Sequence, residues 1–499
     1  MAQEVELKLC LPEAEQGRFL RSPLLRHAAR RSTERLVNIY FDTPDLALHC
    51  SEIALRLRQS RRNWLQTVKC AGLSHAGLSS RPEWEGPYGG HFDFSAIDDP
   101  ITRKRLDRLK PRLEPIFETN FRRTTWKICE AGTELIVALD RGSIVANGNI
   151  VAISEVEIEL AGGNFDQIFT FASRMAEHFT LTPGPWSKAE RGYRLFLGTP
   201  DHPTHAAPVT LGSTMKPITA FRLIAQSCLN HLQQNHHGAI CSNDAEYIHQ
   251  MRVALRRLRA AMRLFRAVLP PGLDKQLLPP LRELMMVLGA TRDLDVLEAE
   301  IVAPVAAALP EEPRIAALAS LVAERRYRAR QQLVALLGAP EYGRLMLLVM
   351  TRLNGIAADE AEAAETSLVA FAATYLKRLQ RKTLRLAHAV HQDDPVSLHA
   401  LRIAAKRLRY ALEFFSPLLH TRRAATLLNH LTQLQDKLGQ LNDLANAGAL
   451  LMDCAAANAG LREAVSLIGG WHGQRYASLL ARMPRTLAKL HTLRLPKGI

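Results

Sequence analysis

Within the first 160 residues, four stretches alternate apolar and charged residues at period two, and this pattern limits the fold more than any other feature. Glu4-Val5-Glu6-Leu7-Lys8, continued by Leu9 and Leu11, places two carboxylates and an ammonium on one face and aliphatic residues on the other. Residues 53, 55 and 57 are apolar while Arg56 and Arg58 alternate with them. Arg81, Glu83 and Glu85 share a face, and Glu155, Glu157 and Glu159 stand opposite Val156, Ile158 and Leu160. Period two identifies strands. Two packings accommodate them: an open sheet with its polar face in water, or a closed barrel with a charged lumen and apolar residues turned outward under helices. Carboxylates spaced two apart repel unless cations sit between them. Glu4/Glu6 and Glu155/Glu157/Glu159 therefore suggest Mg²⁺ or Mn²⁺, hard ions that take oxygen ligands. Basic residues on neighbouring strands would hold an anion suited to such ions, a phosphate chain.

Glu4-x-Glu6-x-Lys8 near the N-terminus resembles the signature of the CYTH, or triphosphate tunnel metalloenzyme, family. The ordered matches continue through Arg56/Arg58, Lys69, Arg81-x-Glu83-x-Glu85, Arg123 followed by Trp126, Asp140, the 155/157/159 carboxylates, and Ser187-Lys188-Ala189-Glu190-Arg191-Gly192-Tyr193. The resemblance covers residues 1–200 and implies an antiparallel eight-stranded β-barrel with flanking helices. It further implies that Lys8, Arg56, Arg58, Lys69, Arg81, Arg123, Lys188 and Arg191 clamp a triphosphate. Glu4, Glu6, Asp140, Glu155, Glu157 and Glu159 would carry one or two divalent ions, with Glu4, Glu6 and Lys8 at the centre of catalysis. Arg122 has the opposite strand parity to Arg123, so only Arg123 is expected in the lumen.

At 499 residues the chain has room for more than one core. It contains no run of 18 apolar residues, so no transmembrane helix and no membrane partner are expected. With the signature beginning at residue 4, no space is expected for a signal peptide. Seven scattered cysteines without CxxC spacing fit reduced thiols in a cytoplasm. Charge divides the chain: residues 1–211 hold 27 basic and 26 acidic residues, whereas residues 212–499 hold 37 and 23. A balanced first part suits a lumen of both signs, and a polycationic second part implies a different, anionic partner.

A Pro-, His- and Thr-rich linker over 201–217 separates the strands from a helical half, 218–490, punctuated by prolines at 270–271, 279–280, 310, 340, 395 and 484. The half repeats internally at an offset of 150: His249-x-x-Arg252 … Arg256-Arg257-Leu258-Arg259 returns as His399-x-x-Arg402 … Lys406-Arg407-Leu408-Arg409. Leu288-Gly289-x-x-x-Asp293 returns as Leu438-Gly439-x-x-x-Asp443 at the same offset, giving two repeats over about 218–350 and 368–490. His249, Arg252, Arg256, Arg259 and Arg263 fall on one helix face. Stacked cations weaken a helix by a few tenths of a kcal/mol per pair, so an anionic partner is expected. The second copy breaks its stripe at Glu413. Asp293 and Asp443 are expected to cap helices or orient arginines.

The duplicated pattern resembles the CHAD domain, which implies polyphosphate binding by His249, Arg252, Arg256, Arg257, Arg259, Arg263, His399, Arg402, Lys406, Arg407 and Arg409. The whole chain then resembles the two-domain inorganic triphosphatases, with inorganic triphosphate as substrate and polyphosphate granules as a candidate address within the cytoplasm. Two alternatives stay open: the same barrel acting on thiamine triphosphate, a nucleotide or longer polyphosphate, or a protein that binds polyphosphate or nucleic acid without catalysis. No Walker loop or GxGxxG is present. The first basic stripe has no aromatic before Phe265, so a specific nucleic-acid partner is not expected.

Overall fold

The computed structural model describes residues 3–60, 63–70, 72–75, 77–199, 201–356, 367–391, 394–419, 422–456, 458–492 and 495. The chain divides into two compact units. The first comprises Met1–Pro203 with Gly338–Gly355, and the second Thr204–Leu337 with Ile356–Ile499.

Among the described residues the first unit has ten strands: β1 (Gln3–Cys10), β2 (Arg30–Asp42), β3 (Ala54–Ser60), β4 (Asn63–Lys69), β5 (Leu73–His75), β6 (Leu78–Pro87), β7 (Glu114–Glu130), β8 (Thr133–Ala146), β9 (Asn149–Gly162) and β10 (Thr182–Pro183). The order β1-β9-β8-β7-β2-β3-β4-β6 closes on itself through antiparallel pairing of β1 with β6, from Gln3↔Pro82 to Leu7↔Leu78. The ring therefore has the expected eight strands, with β5 and β10 as short additions at its margin. Closure removes the exposed edges that an open sheet would present.

Parity then fixes what faces where. Leu7, Leu9, Val137, Leu139, Val156 and Ile158 are fully buried on the outside of the ring, each side chain contributing about 1.5–3 kcal/mol. The N-terminal part of this unit carries the helices α1 (Gln16–Phe19), α2 (Pro100–Leu109), α3 (Asp166–Ala176) and α4 (Lys188–Phe196). Asp99 caps α2 by accepting from Thr102 N at 2.9 Å, and Leu106 and Leu109 pack on Leu55, Leu57 and Val68. The basic residues of α2 thus belong to a solvated outer face. Asn164 accepts from Asp166 N at 2.9 Å at the start of α3, which buries Ile168, Phe169, Ala172 and Met175 and lies against β9.

Helix α4 lies across β7, β8 and β9, and Gly192 allows it to. A Cβ there would stand 2.0 Å from the ring of Phe117, itself stacked on Tyr40 at 4.5 Å. Gly192→Ala is therefore expected to destabilise the first unit by about 1–3 kcal/mol, read as a lower denaturant midpoint at unchanged slope.

The remaining helices are α5 (Pro217–Gln234), α6 (His236–Cys241), α7 (Ala245–Leu264), α8 (Leu273–Val296), α9 (Ala303–Ala308), α10 (Pro313–Leu337), α11 (Pro340–Asn354), α12 (Leu368–Ala389), α13 (Pro395–Phe415), α14 (Arg422–Cys454) and α15 (Arg462–Thr492). Helices α7 and α13 carry the duplicated basic motifs, and α8 and α14 the duplicated Leu-Gly-x-x-x-Asp motifs. Two expectations are corrected here. Pro279, Pro280 and Pro484 lie inside α8 and α15 instead of ending helices. Each removes one intrahelical donor, but in α8 the buried stripe Leu277, Leu281, Leu284 and Leu288 continues through the prolines. Residues 338–350, placed in the first helical repeat by the sequence, fall with the rest of 338–355 in the barrel unit. There α11 packs on α3 and β10, and Gly343 sits so close that a Cβ would meet the Leu181 carbonyl oxygen at 1.9 Å.

Candidate active site

The barrel encloses a cavity of about 870 Å³ whose lining includes Lys8, Arg56, Arg58, Lys69, Arg123 and Lys188. Among its carboxylates are Glu6, Glu83, Glu85, Glu157 and Glu159. Strand register explains the arrangement. Lys8 pairs across β1–β9 with Glu157, Glu6 with Glu159, and Cys10 with Glu155. Asp140 of β8 stands between Arg123 of β7 and Glu155 of β9. Arg123 faces inward as expected, and Arg122 is exposed. Trp126, by the same parity, is outside the lumen, buried against Phe19 at 6.1 Å.

One side of the lumen is a cage of fixed charge. The Lys188 ammonium donates to Asp140 Oδ2 at 2.6 Å, to Glu157 Oε1 at 2.9 Å and to Glu155 Oε1. Arg123 binds Asp140 bidentately, with Nε at 2.7 Å and Nη2 at 2.6 Å, and also donates to Glu157. Lys188 opens α4, where Ser187 Oγ caps the backbone N–H of Glu190 at 3.1 Å. A cation at a helix N-terminus opposes the helix dipole, so this placement depends on the carboxylates facing it. Burial disfavours the charge of Lys188, yet Asp140, Glu155 and Glu157 hold its proton affinity far above the usual lysine range. Burial would likewise raise Glu157, but Lys188, Arg123 and Lys8 hold it well below the ordinary carboxylate range.

The opposite side pairs its charges at longer range, apart from Lys69. Lys69 Nζ lies 2.8 Å from Glu83, Arg56 3.5 Å from the same carboxylate, and Arg58 3.8 Å from Glu85. Burial, with Arg56 and Arg123 nearby, pushes Arg58 down to about 10. Lys8 is buried but loosely held, its Nζ 3.8 Å from Glu6 and 3.9 Å from Glu157. An anion entering this cavity finds Lys8, Arg56, Arg58 and Lys69 without tight ionic partners apart from the Lys69–Glu83 pair.

Two sets of oxygens could hold a metal. Asp140, Glu155 and Glu157 offer ligand atoms within 4.8 Å of one another, but the Lys188 ammonium already bonds to all three, and Asp140 and Glu155 do not line the cavity. Glu6 and Glu159 offer the other set: they stand opposite each other across β1–β9, both line the cavity, and Glu6 also accepts from Ser79 Oγ at 3.1 Å. Arg191 is turned from the cavity and binds Glu155 at 3.2 Å. Glu4 and Arg81 pair in register across β1 and β6, and their side chains lie outside the described residues. Tyr40, Trp84, Asp98 and Phe121 also line the cavity and were not anticipated. Phe121 beneath Lys188 at 5.1 Å carries no sequence signal beyond its shared parity with Arg123.

In the second unit a pocket of about 770 Å³ gathers His249, Arg256, Arg257, Arg402, Lys406 and Arg409 from the two repeats. Arg252 lies behind it, donating to Gly289 O and Asp293 Oδ1, both at 2.9 Å, so the two duplicated motifs of the first repeat touch each other. Glu413 does more than shorten a stripe. It pairs with Arg257 of the first repeat at 2.5 Å and with Arg409 at 3.4 Å. Burial, with Arg256, Arg402, Arg252 and Arg409 nearby, pushes Lys406 down to about 7. Burial and neighbouring arginines push His249 down to about 4. Arg259 is half-buried against Met285, whereas Arg263, His399 and Arg407 are exposed, and none of these four lines the pocket.

Residues 2–193 match the CYTH domain and residues 223–452 match the CHAD domain. An inorganic triphosphatase of Haemophilus influenzae is 34% identical over 206 residues, covering 39% of this chain and 55% of that protein, so the match spans little more than half of that relative. An uncharacterized Mycobacterium tuberculosis protein is 26% identical over 416 residues, 76% of this chain and 75% of its own. The crystal structure of a CHAD domain from the plant Ricinus communis is 34% identical, with a TM-score of 0.52 over 59% of this chain and 99% of that one. No single helix among the described residues is long and apolar enough to cross a membrane.

Proposed function

We propose, from the premise that this chain belongs to the CYTH family through its barrel and to the CHAD family through its helical unit, that the barrel hydrolyses inorganic triphosphate to diphosphate and phosphate. One observation carries the reading. The closed lumen sets cations on β1, β3 and β4 opposite a caged Lys188 and Arg123, a lining suited to a compact, highly charged anion.

Mg²⁺ or Mn²⁺ held by Glu6 and Glu159, with Glu4 as the partner implied by the signature, would neutralise charge on the phosphate oxygens. Arg56, Arg58 and Lys69 bind the chain from one side. Arg123 and Lys188 meet it from the other, already oriented by Asp140 and Glu155, so no reorganisation is needed as charge shifts. Glu157, loaded by three cations, is too weak a base to take a proton and serves to position them. Lys8 is placed to donate hydrogen bonds to the terminal phosphoryl group as it is transferred. Water attacks the terminal phosphorus in line as its bond to the bridging oxygen breaks; that oxygen leaves with the bonding electron pair as part of diphosphate, the water oxygen becomes part of phosphate, and the proton it releases passes to the products or to solvent.

A second reading, an organic triphosphate, is favoured by Trp84 alone. Its indole N–H is fixed on Asp98 at 3.0 Å at the cavity rim, which offers a flat surface to a ring. Phosphate release with Mg²⁺ or Mn²⁺ from inorganic triphosphate, ATP, thiamine triphosphate and long polyphosphate separates the readings. Dominant turnover of inorganic triphosphate, abolished by EDTA, is the expected outcome. Release from none of them would sink catalysis.

The helical pocket is proposed to bind polyphosphate. Because burial and the neighbouring arginines hold Lys406 near 7, a bound polyanion restores its proton, and affinity is expected to fall as pH rises through 7. The sign for stability is opposite. The unfolded chain holds a proton on this lysine to higher pH than the folded one, so the unliganded unit gains stability as pH rises above 7. Polyphosphate titrations at about pH 6 and about pH 8.5, with thermal melts beside them, check both signs.

A further inference from the structure

The lumen continues past Lys8 and Lys69 into a second cavity of about 500 Å³, which shares Ala54, Ser187 and Ala189 with the first. Beyond the two shared lysines its charged lining is acidic: Glu52 and Glu190. Glu52 is exposed and makes no ion pair among the described residues. It is held at φ 55, ψ 35, a left-handed conformation uncommon for a residue with a Cβ. The turn that holds it there is anchored by buried Asp42, which accepts from Leu48 N at 2.8 Å, His49 N at 2.9 Å and the Tyr193 hydroxyl at 2.9 Å. The fold thus places an acidic residue in the lining of this second cavity in a backbone geometry that glycine or asparagine would adopt more readily.

We propose that Glu52, with Glu190 beside the same opening, limits the length of phosphate chain that the barrel accepts. The proposal rests on the triphosphate reading of the lumen. Cations inside the barrel attract the anion. A chain long enough to emerge past Lys8 and Lys69 places its next phosphoryl group against a carboxylate, and that repulsion selects the shorter substrate.

The test compares kcat/KM for linear tetraphosphate and triphosphate in the full-length protein and in Glu52→Asn, which removes the charge but tolerates the left-handed backbone. The tetraphosphate-to-triphosphate ratio is expected to rise about 3- to 10-fold, more in Glu52→Lys, and the gain should shrink at high salt. Glu52→Gly separates charge from backbone relief: it should match the asparagine variant. An unchanged ratio in both Glu52→Asn and Glu52→Lys overturns the proposal. Wild-type protein that releases no phosphate from triphosphate defeats the hydrolase reading instead. In that event competition binding of the two anions to wild type and variants still decides the length limit.

Discussion

Lys8→Ala is expected to slow triphosphate turnover about 10²- to 10³-fold, the usual cost of deleting one pre-set group that stabilises developing charge. The melting temperature should move little. The Lys8 ammonium is 3.8 Å and 3.9 Å from its carboxylates, too far for strong hydrogen bonds, and Glu157 keeps Lys188 and Arg123 when Lys8 is gone. Steady-state kinetics beside a thermal melt decide the matter. Turnover equal to wild type in a folded protein would remove the lumen from catalysis altogether.

The same loss of charge at Lys188, which opens α4 and shares Glu157 with Lys8, should behave in the opposite way. Lys188→Met is expected to cost about 3–5 kcal/mol of stability, because Asp140, Glu155 and Glu157 then share a buried site with one ammonium fewer. Activity should fall as well, but the distinguishing readout is pH. In the wild type Glu157 is held well below its usual range, so its contribution is present above the unfolded carboxylate range and is lost as pH falls through the folded value. The variant lacks most of that contribution. The gap between the two proteins is therefore expected to be wide at neutral pH and to narrow as the carboxylates protonate in acid. A gap independent of pH would mean that Lys188 acts through packing alone.

Much of this contrast was hidden from the sequence. Alternation identified the strands and which residues share a face, and parity separated Arg123 from Arg122. Alternation alone left both an open sheet and a barrel available, because the deciding contact, β1 on β6, joins residues about 75 apart and depends on turns between them. Likewise the chain order lists Asp140, Glu155, Glu157 and Lys188 only as suitable residue types. That the lysine occupies the centre of those carboxylates, where a metal was expected, follows from α4 lying across three strands. In the helical unit the repeat and its arginines were legible, yet Glu413 read as a defect. Its role as counter-ion to Arg257 needs the two repeats to meet in space. His399 shows the reverse failure, since a matching motif position does not guarantee a matching environment: its counterpart His249 lines the pocket and it does not.

Helix α11 gives the barrel unit a history during synthesis. The last strand of that unit is made by residue 183, but the helix that covers α3 and β10 follows only at 340–354, after most of the first helical repeat. At cellular rates of about 5–20 residues per second the interval is on the order of ten seconds or more. For that time the nascent barrel leaves the ribosome with an apolar face still awaiting its own chain. A ribosome-bound intermediate stalled before residue 340 should therefore be the species most prone to capture by chaperones, and a gene fragment ending at 203 would make that intermediate permanent.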